Sequence, residues 1–147
     1  MRKSFTSALA VTGLLAIVSL TASGCSVVDE LAHHKKSSEF ADAASLEADG
    51  DLEVAWLPRD SSGIRVVQST QADDAAVAVV SEGSLPSAMC IEVPRQSAPP
   101  YVIDDTVDVY GVSSVFACGE WTVAETPTGW LGWTPNHPDE KAQSPAS

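Results

Sequence analysis

Positive charge is scarce in this sequence. Its 147 residues include 8 lysines and arginines but 20 aspartates and glutamates, so the formal net charge is −12. Nucleic-acid binding requires basic side chains that neutralise phosphates, and the charge balance therefore excludes nucleic acid as a partner. A surface this acidic keeps a protein soluble and attracts cationic peptides or metal ions.

Catalytic motifs are also missing. The sequence has no Gly-x-Ser-x-Gly elbow, no Cys-x-x-Cys pair and no glycine-rich phosphate-binding loop. Its three histidines are His33 and His34, which are adjacent in a polar segment, and His137 near the C-terminus. We therefore predict a protein that is not an enzyme and that uses no cofactor. The alternatives are an envelope enzyme that uses acidic side chains, or a Ca²⁺-dependent binding module.

The N-terminal apolar run is too short to cross a membrane. Ala8–Leu20 has thirteen residues, which as a helix reach about 20 Å, whereas the hydrocarbon core of a bilayer is about 30 Å thick. The run follows Arg2 and Lys3 and is followed by small residues and Cys25. This order is typical of a secretory signal peptide.

The residues before that cysteine resemble the lipobox of bacterial lipoproteins, reading Leu20-Thr21-Ala22-Ser23-Gly24-Cys25. In that family a diacylglyceryl group is attached to the cysteine thiol, and the signal is cut just before it. The position three before the cysteine is Ala22, where the family most often has leucine. Because two acyl chains anchor stably, the resemblance implies a protein held through Cys25 at the extracytoplasmic face of the cell membrane. Secretion with a free Cys25 is the alternative.

The cysteine count agrees with export. Once Cys25 is assigned to lipid, Cys90 and Cys118 are the remaining thiols, and an even remainder in an oxidising compartment predicts one disulfide. On the chain-entropy model, closing a loop of this length stabilises the fold by about 3.5 kcal/mol. A redox-active or metal-binding pair is disfavoured, because no histidine lies near either cysteine in the sequence.

The sequence divides into four segments. Residues 1–24 are the signal peptide, residues 25–51 the lipidated cysteine and a flexible tether, residues 52–135 a β domain, and residues 136–147 a disordered tail. As coil, the polar tether would reach about 30 Å. From residue 52, short β-branched runs alternate with turn residues, which predicts a mainly β fold, a small antiparallel β sandwich or barrel-like domain.

Seven strands are predicted in this domain. They are Leu52–Leu57, Ile64–Ser69, Ala75–Ser81, Met89–Val93, Thr106–Val112, Glu120–Glu125 and Trp130–Thr134. The last two form a hairpin, because Thr126-Pro127-Thr128-Gly129 favours a type I turn.

The predicted hairpin pairs Ala124 with Leu131 and Val123 with Gly132. One face then carries Trp121, Val123 and Trp130, and the other carries Leu131 and Trp133. Apolar side chains on both faces indicate a strand pair that is central in the sheet or covered on its second face. The missing side chain at Gly132 would let an indole lie across it.

Three tryptophans are the candidate ligand face. If Trp121, Trp130 or Trp133 were exposed, it could stack on a sugar ring or anchor a peptide. The alternative, which we favour, is that these large side chains fill the core of a small domain.

Two acidic groups have the atoms of a cation site. Asp104, Asp105 and Asp108 form a dense cluster that could hold Ca²⁺, or that simply marks the charged start of a strand. His137 with the two acidic residues after it lies in the predicted tail. We assign no metal site to either group, nor to the adjacent histidines of the tether.

Motifs in the predicted domain are similar to those of small lipoproteins of high-GC Gram-positive type. They are Trp56-Leu57-Pro58-Arg59-Asp60, Gly63-Ile64, Cys118-Gly119-Glu120-Trp121 and Gly132-Trp133-Thr134-Pro135. The resemblance carries over no catalytic residue. From the lipobox, the absence of catalytic motifs and the tryptophan hairpin together, we predict a lipid-anchored surface protein with a non-catalytic binding or assembly role, whose partner would be an envelope protein, a peptide or a glycan.

Overall fold

The computed structural model describes residues 34–145 of the chain. Seven strands in this part form one antiparallel sheet, which confirms the prediction of a mainly β, antiparallel fold. The strands are β1 Lys35–Asp42, β2 Ser62–Ser69, β3 Ala75–Val80, β4 Cys90–Pro94, β5 Ser114–Cys118, β6 Trp121–Thr126 and β7 Gly129–Thr134. Two short helices accompany them, α1 Ala43–Asp49 and α2 Pro138–Lys141, with a 3-10 turn at Val109–Gly111.

The β6–β7 hairpin lies in the middle of the sheet. The strand order is β1-β2-β3-β7-β6-β5-β4, so β7 is the central strand. Ala124 pairs with Leu131 and Val123 with Gly132, as predicted from the turn. The central position explains why both faces of the hairpin are apolar.

Irregular chain covers both faces of the sheet. On the first face, Leu46 of α1 and Trp56 pack against the strands in a cluster that includes Trp121 and Val123. On the second face, Ile103 and Val109 pack over a cluster of strand residues that includes Leu131 and Trp133. Because each face has its own cover, the interior strand β3, next to β7, is buried from Ala75 to Val79.

Gly132 accommodates an indole, as the sequence predicts, and the indole belongs to Trp56. A methyl group at Gly132 would clash with Trp56 Cζ2, so no larger residue fits there without displacement. The Trp56 ring also meets Trp121 edge-on, with 6.1 Å between the ring centroids. These contacts fix the segment before β2 onto the first face of the sheet.

Two predicted strands are wrong. Leu52–Leu57 forms no strand; its apolar residues are in the core because the segment lies on the sheet rather than within it. Thr106–Val112 contains the 3-10 turn, which begins where the side chain of Asp108 accepts a hydrogen bond from the backbone N–H of Tyr110. Apolar alternation does not distinguish a strand from a segment that packs across one.

The tether prediction is wrong over residues 35–49, which form β1 and α1. The β1 strand is at an edge of the sheet, where one side faces solvent, and its polar residues hide the strand signal. The α1 helix has a capping residue at each end. Asp42 accepts from the backbone N–H of Ser45 at 2.9 Å, and Gly50 ends the helix in the left-handed region at φ 72°.

The predicted disordered tail is ordered as far as Ser144. The short helix α2 begins with a capping box formed by His137 and Glu140. Asn136 donates to the carbonyl of Gly119 at 2.9 Å, and the Ser144 hydroxyl accepts from the N–H of the same glycine at 2.6 Å. The segment is therefore tied to the turn between β5 and β6.

The β5 strand is also absent from the sequence prediction.

Candidate functional site

The predicted disulfide is present and is part of the core. Cys90 of β4 and Cys118 of β5 are directly paired across the two strands, with 4.3 Å between their Cα atoms. Both are buried, so the bond joins the edge strand β4 to the strand that leads into the hairpin. Cys25, the predicted lipidation site, and His33 lie outside the described residues.

The candidate tryptophans do not form one exposed face. Trp121 and Trp133 are buried on opposite faces of the sheet, where they belong to separate clusters. Trp130 is half-buried, its indole N–H donates to the carbonyl of Gly83 at 2.9 Å, and its ring meets Phe116 edge-on. Trp121 and Trp133 thus fill the core, which is the alternative that the sequence favoured.

Trp130 still borders a groove at the tip of the hairpin. The groove has a volume of about 440 Å³ and is lined by Val80, Pro127 and Trp130 together with two carboxylates, those of Glu82 and Glu125. Val80 is 49% exposed. The other lining residues are Ser81, Gly83, Thr126, Thr128 and Gly129, none of which carries a large apolar side chain.

Each of the three aspartates of the predicted cation cluster has a different local role. Asp104 accepts a hydrogen bond from the Arg65 guanidinium through its backbone carbonyl at 2.7 Å. Asp105 adopts φ 57°, and Asp108 caps the 3-10 turn. Within residues 34–145, no three histidine, cysteine or acidic side chains gather in an arrangement that could hold a metal ion.

Glu140 is a buried carboxylate, whereas the sequence analysis placed it in the disordered tail and weighed it only as part of a cation site with His137. Its Oε1 accepts from the backbone N–H groups of Gln96 and Ser97 at 2.5 and 2.9 Å. Its Oε2 accepts from the hydroxyls of Ser97 and Thr122, both at 2.5 Å, and from the N–H of His137 at 3.2 Å. Burial alone would raise the pKa of Glu140, but these hydrogen bonds outweigh it and hold the pKa below its ordinary value.

The Glu140 network is structural. It joins α2, the loop after β4 and the strand β6, and Trp133 extends it by donating its indole N–H to the Ser97 hydroxyl at 2.9 Å. Five internal donors occupy the carboxylate, so it is held as an ionised acceptor rather than as a proton donor or base for a substrate. The capping-box spacing from His137 to Glu140 is the sequence signal that could have found it.

Exposed apolar side chains concentrate in the loop between β4 and β5. In the described part of the chain, Val102 is 86% exposed and Tyr110 is 79% exposed, well above the other large apolar residues. Between them lies a groove of about 250 Å³. We call it the loop groove, and its lining residues are Pro99, Tyr101, Val102, Ile103, Thr106, Val107, Asp108, Val109, Tyr110 and Leu131.

The loop groove has a buried apolar floor, and three exposed aspartates lie in the loop that forms it. Ile103, Val109 and Leu131 are buried beneath it, and they belong to the cluster on the second face of the sheet. Asp108 lines the groove, and Asp104 and Asp105 lie in the same loop, all three exposed. The arrangement combines an apolar depression with negative charge, which suits recognition rather than bond cleavage.

Comparison of the chain with known protein families, curated proteins and solved structures found no match. Within residues 34–145, no helix is long and apolar enough to span a bilayer. The site must therefore be interpreted from its own geometry.

Proposed function

We propose that this protein is a lipid-anchored binding protein without catalytic activity, held at the extracytoplasmic face of the cell membrane through Cys25. Its partner is an envelope protein, a peptide or a glycan. The observation that best supports a binding role is the loop groove, where Val102 and Tyr110 are exposed over a buried apolar floor. Monomeric proteins seldom expose clustered large apolar side chains without a binding function.

The interior of the described domain supports a non-catalytic role. Its fully buried carboxylate, Glu140, receives five hydrogen bonds from the fold itself. The Cys90–Cys118 bond leaves neither of these thiols free to act as a nucleophile. The Glu140 carboxylate and the two cysteines are thus used to hold the sheet and its covering loops together.

The start of β1 determines how far the domain can lie from the proposed anchor. Lys35 is the first residue of the strand, ten residues after Cys25. Ten residues span at most about 35 Å, whatever their conformation. A lipid at Cys25 would therefore keep this edge of the sheet close to the headgroups, and the partner would have to lie near the membrane.

Site-specific photocrosslinking tests the binding role. A photoactivatable amino acid replaces Val102 in the lipoprotein expressed in its native host, and the same residue replaces Val80 as a control at the hairpin tip. We expect a discrete adduct from position 102, identifiable by mass spectrometry, and none from position 80. Absence of an adduct at position 102, or the same adducts from both positions, would contradict the proposal.

A further inference from the structure

We propose that the loop groove binds a cationic peptide segment of a protein partner. An apolar side chain of the segment enters the groove, and flanking lysine or arginine side chains lie against Asp104, Asp105 and Asp108. This inference rests on the proposed binding function, to which it adds the chemistry of the partner.

The size of the groove favours a peptide side chain. Pockets for small molecules usually enclose about 300 to 1,000 Å³, whereas this groove has about 250 Å³. That space accommodates one or two side chains of a segment lying across the surface. Val102 and Tyr110 stand at its mouth, and tyrosine at such a position commonly anchors a protein interface.

The charge of the loop favours a cationic segment. Within residues 34–145, the carboxylates of Asp104 and Asp105 form no ion pair, and Asp108 uses one oxygen to accept from the N–H of Tyr110. The nearby Arg65 directs its guanidinium to the backbone carbonyl of Asp104. The loop therefore carries three exposed carboxylates, which outnumber the guanidiniums of Arg65 and Arg95 beside it. This excess of negative charge attracts lysine and arginine and repels anionic lipid.

The remaining cation beside the groove is engaged by the protein. Arg95 lies beneath the Tyr110 ring, 5.6 Å from its centroid. Its guanidinium donates to the carbonyls of Val112 and Ser97 at 2.9 and 3.0 Å. Arg95 thus supports one face of the Tyr110 ring and leaves the other face to a ligand.

The loop is held in shape before any partner binds. The Thr106 hydroxyl donates to the carbonyl of Ile103 at 2.8 Å, and Arg65 ties Asp104 to β2. Ile103 and Val109 fix the loop to the core. A preformed surface loses little conformational entropy on binding, so even a short peptide can bind measurably.

Peptide binding tests the inference on the full chain carrying Cys25→Ser, which needs no detergent. The probe is a fluorescent seven-residue peptide with one leucine between two pairs of lysines. Two control peptides replace the leucine by alanine or the lysines by glutamate. We expect the leucine–lysine peptide to bind about tenfold more tightly than either control, as measured by fluorescence anisotropy.

Matched protein variants locate the binding. Val102→Asp should weaken binding of the leucine–lysine peptide about tenfold, while Val80→Asp changes it by less than about twofold. Asp105→Asn should weaken it about threefold and reduce its salt dependence, whereas Asp73→Asn, at an exposed site away from the groove, should not. Unchanged thermal midpoints verify that each variant is folded.

Several results would overturn the inference. Two concern the peptides and variants: the glutamate peptide binds as tightly as the leucine–lysine peptide, or Val102→Asp and Val80→Asp weaken binding equally. The other two reveal a different occupant of the groove: the protein binds anionic phosphatidylglycerol vesicles, or forms a dimer, and Val102→Asp abolishes that association. If the peptide fails to bind but position 102 still crosslinks to a partner, only the cationic chemistry is wrong. If both fail, the proposed binding function fails with it.

Discussion

At the scale of single residues, the most consequential group is Glu140. A buried carboxylate is costly unless its oxygens receive hydrogen bonds, and here the donors come from three separate parts of the chain. The burial of Glu140 could not be predicted from the sequence, because His137 and its acidic neighbours have the composition of an exposed tail. Its burial depends on Thr122 and Ser97, which are distant in the sequence.

Replacing Glu140 by glutamine should lower the free energy of unfolding by about 2 to 3 kcal/mol. The amide is neutral and carries N–H groups that would face donors now bonded to a carboxylate oxygen. Glu120→Gln is the control, because that exposed carboxylate pairs with Lys141 at the surface and should contribute less than about 1 kcal/mol. Urea denaturation at neutral pH measures both, and equal values would contradict the structural role of Glu140.

The comparison of the natural protein with Glu140→Gln also predicts how stability depends on pH. Because the folded-state pKa of Glu140 is below its ordinary value of 4.5, its contribution is complete above about pH 4.5 and is lost as the pH falls through the lowered pKa. The stability difference between the natural protein and Glu140→Gln should therefore shrink in acid. A difference that stays constant from pH 7 to pH 3 would show that ionised Glu140 is not the stabilising form.

At the scale of elements, local sequence patterns were sufficient to predict the β6–β7 hairpin but insufficient to predict the edge strand β1. The turn at residues 126–129 and the alternation on each side fix the β6–β7 register, since all of the information lies within fourteen residues. In contrast, β1 pairs with β2 across an intervening helix and loop, so its polar sequence gave no local reason to expect a strand. The pairing itself supplies the missing stabilisation.

The loop groove shows the same limit. The segment Thr106–Val112 alternates like a strand, but the sheet places only part of it against the core and leaves Tyr110 outside. Sequence alone identified the three aspartates as a cluster and could not show the exposed apolar surface beside them. That surface exists because β4 and β5 are joined by a long connection that crosses the second face.

The disulfide joins two of these elements, and its removal should destabilise the domain. In a Cys25→Ser background, reduction of the Cys90–Cys118 bond should lower the free energy of unfolding by about 3.5 kcal/mol, because the unfolded chain gains the entropy of an open loop. Urea denaturation with and without reductant measures the change. The double variant Cys90→Ala/Cys118→Ala is the control, and reductant must not change its stability. If reductant leaves the urea midpoint of the disulfide-bonded protein unchanged, the disulfide does not stabilise the domain.

At the scale of the whole molecule, the proposed function depends on where the chain is attached. The proposed extracytoplasmic location would account for the bond between two buried cysteines, and the short distance from Cys25 to β1 would hold the sheet near the membrane. The charge fits the same picture, since loss of Arg2 and Lys3 with the signal would take the net charge from −12 to −14. On the proposed function, a domain with this charge would be repelled by anionic headgroups and would remain available to a cationic partner.

Membrane fractionation of Cys25→Ser tests this central claim most directly. The natural protein and the control Ser26→Ala, which keeps the cysteine, should sediment with membranes and be released by detergent. Cys25→Ser should appear in the soluble fraction with its Cys90–Cys118 bond intact, because the anchor is separate from the fold. If Cys25→Ser sediments with membranes as the natural protein does, the lipid anchor, and the membrane-proximal binding role built on it, is wrong.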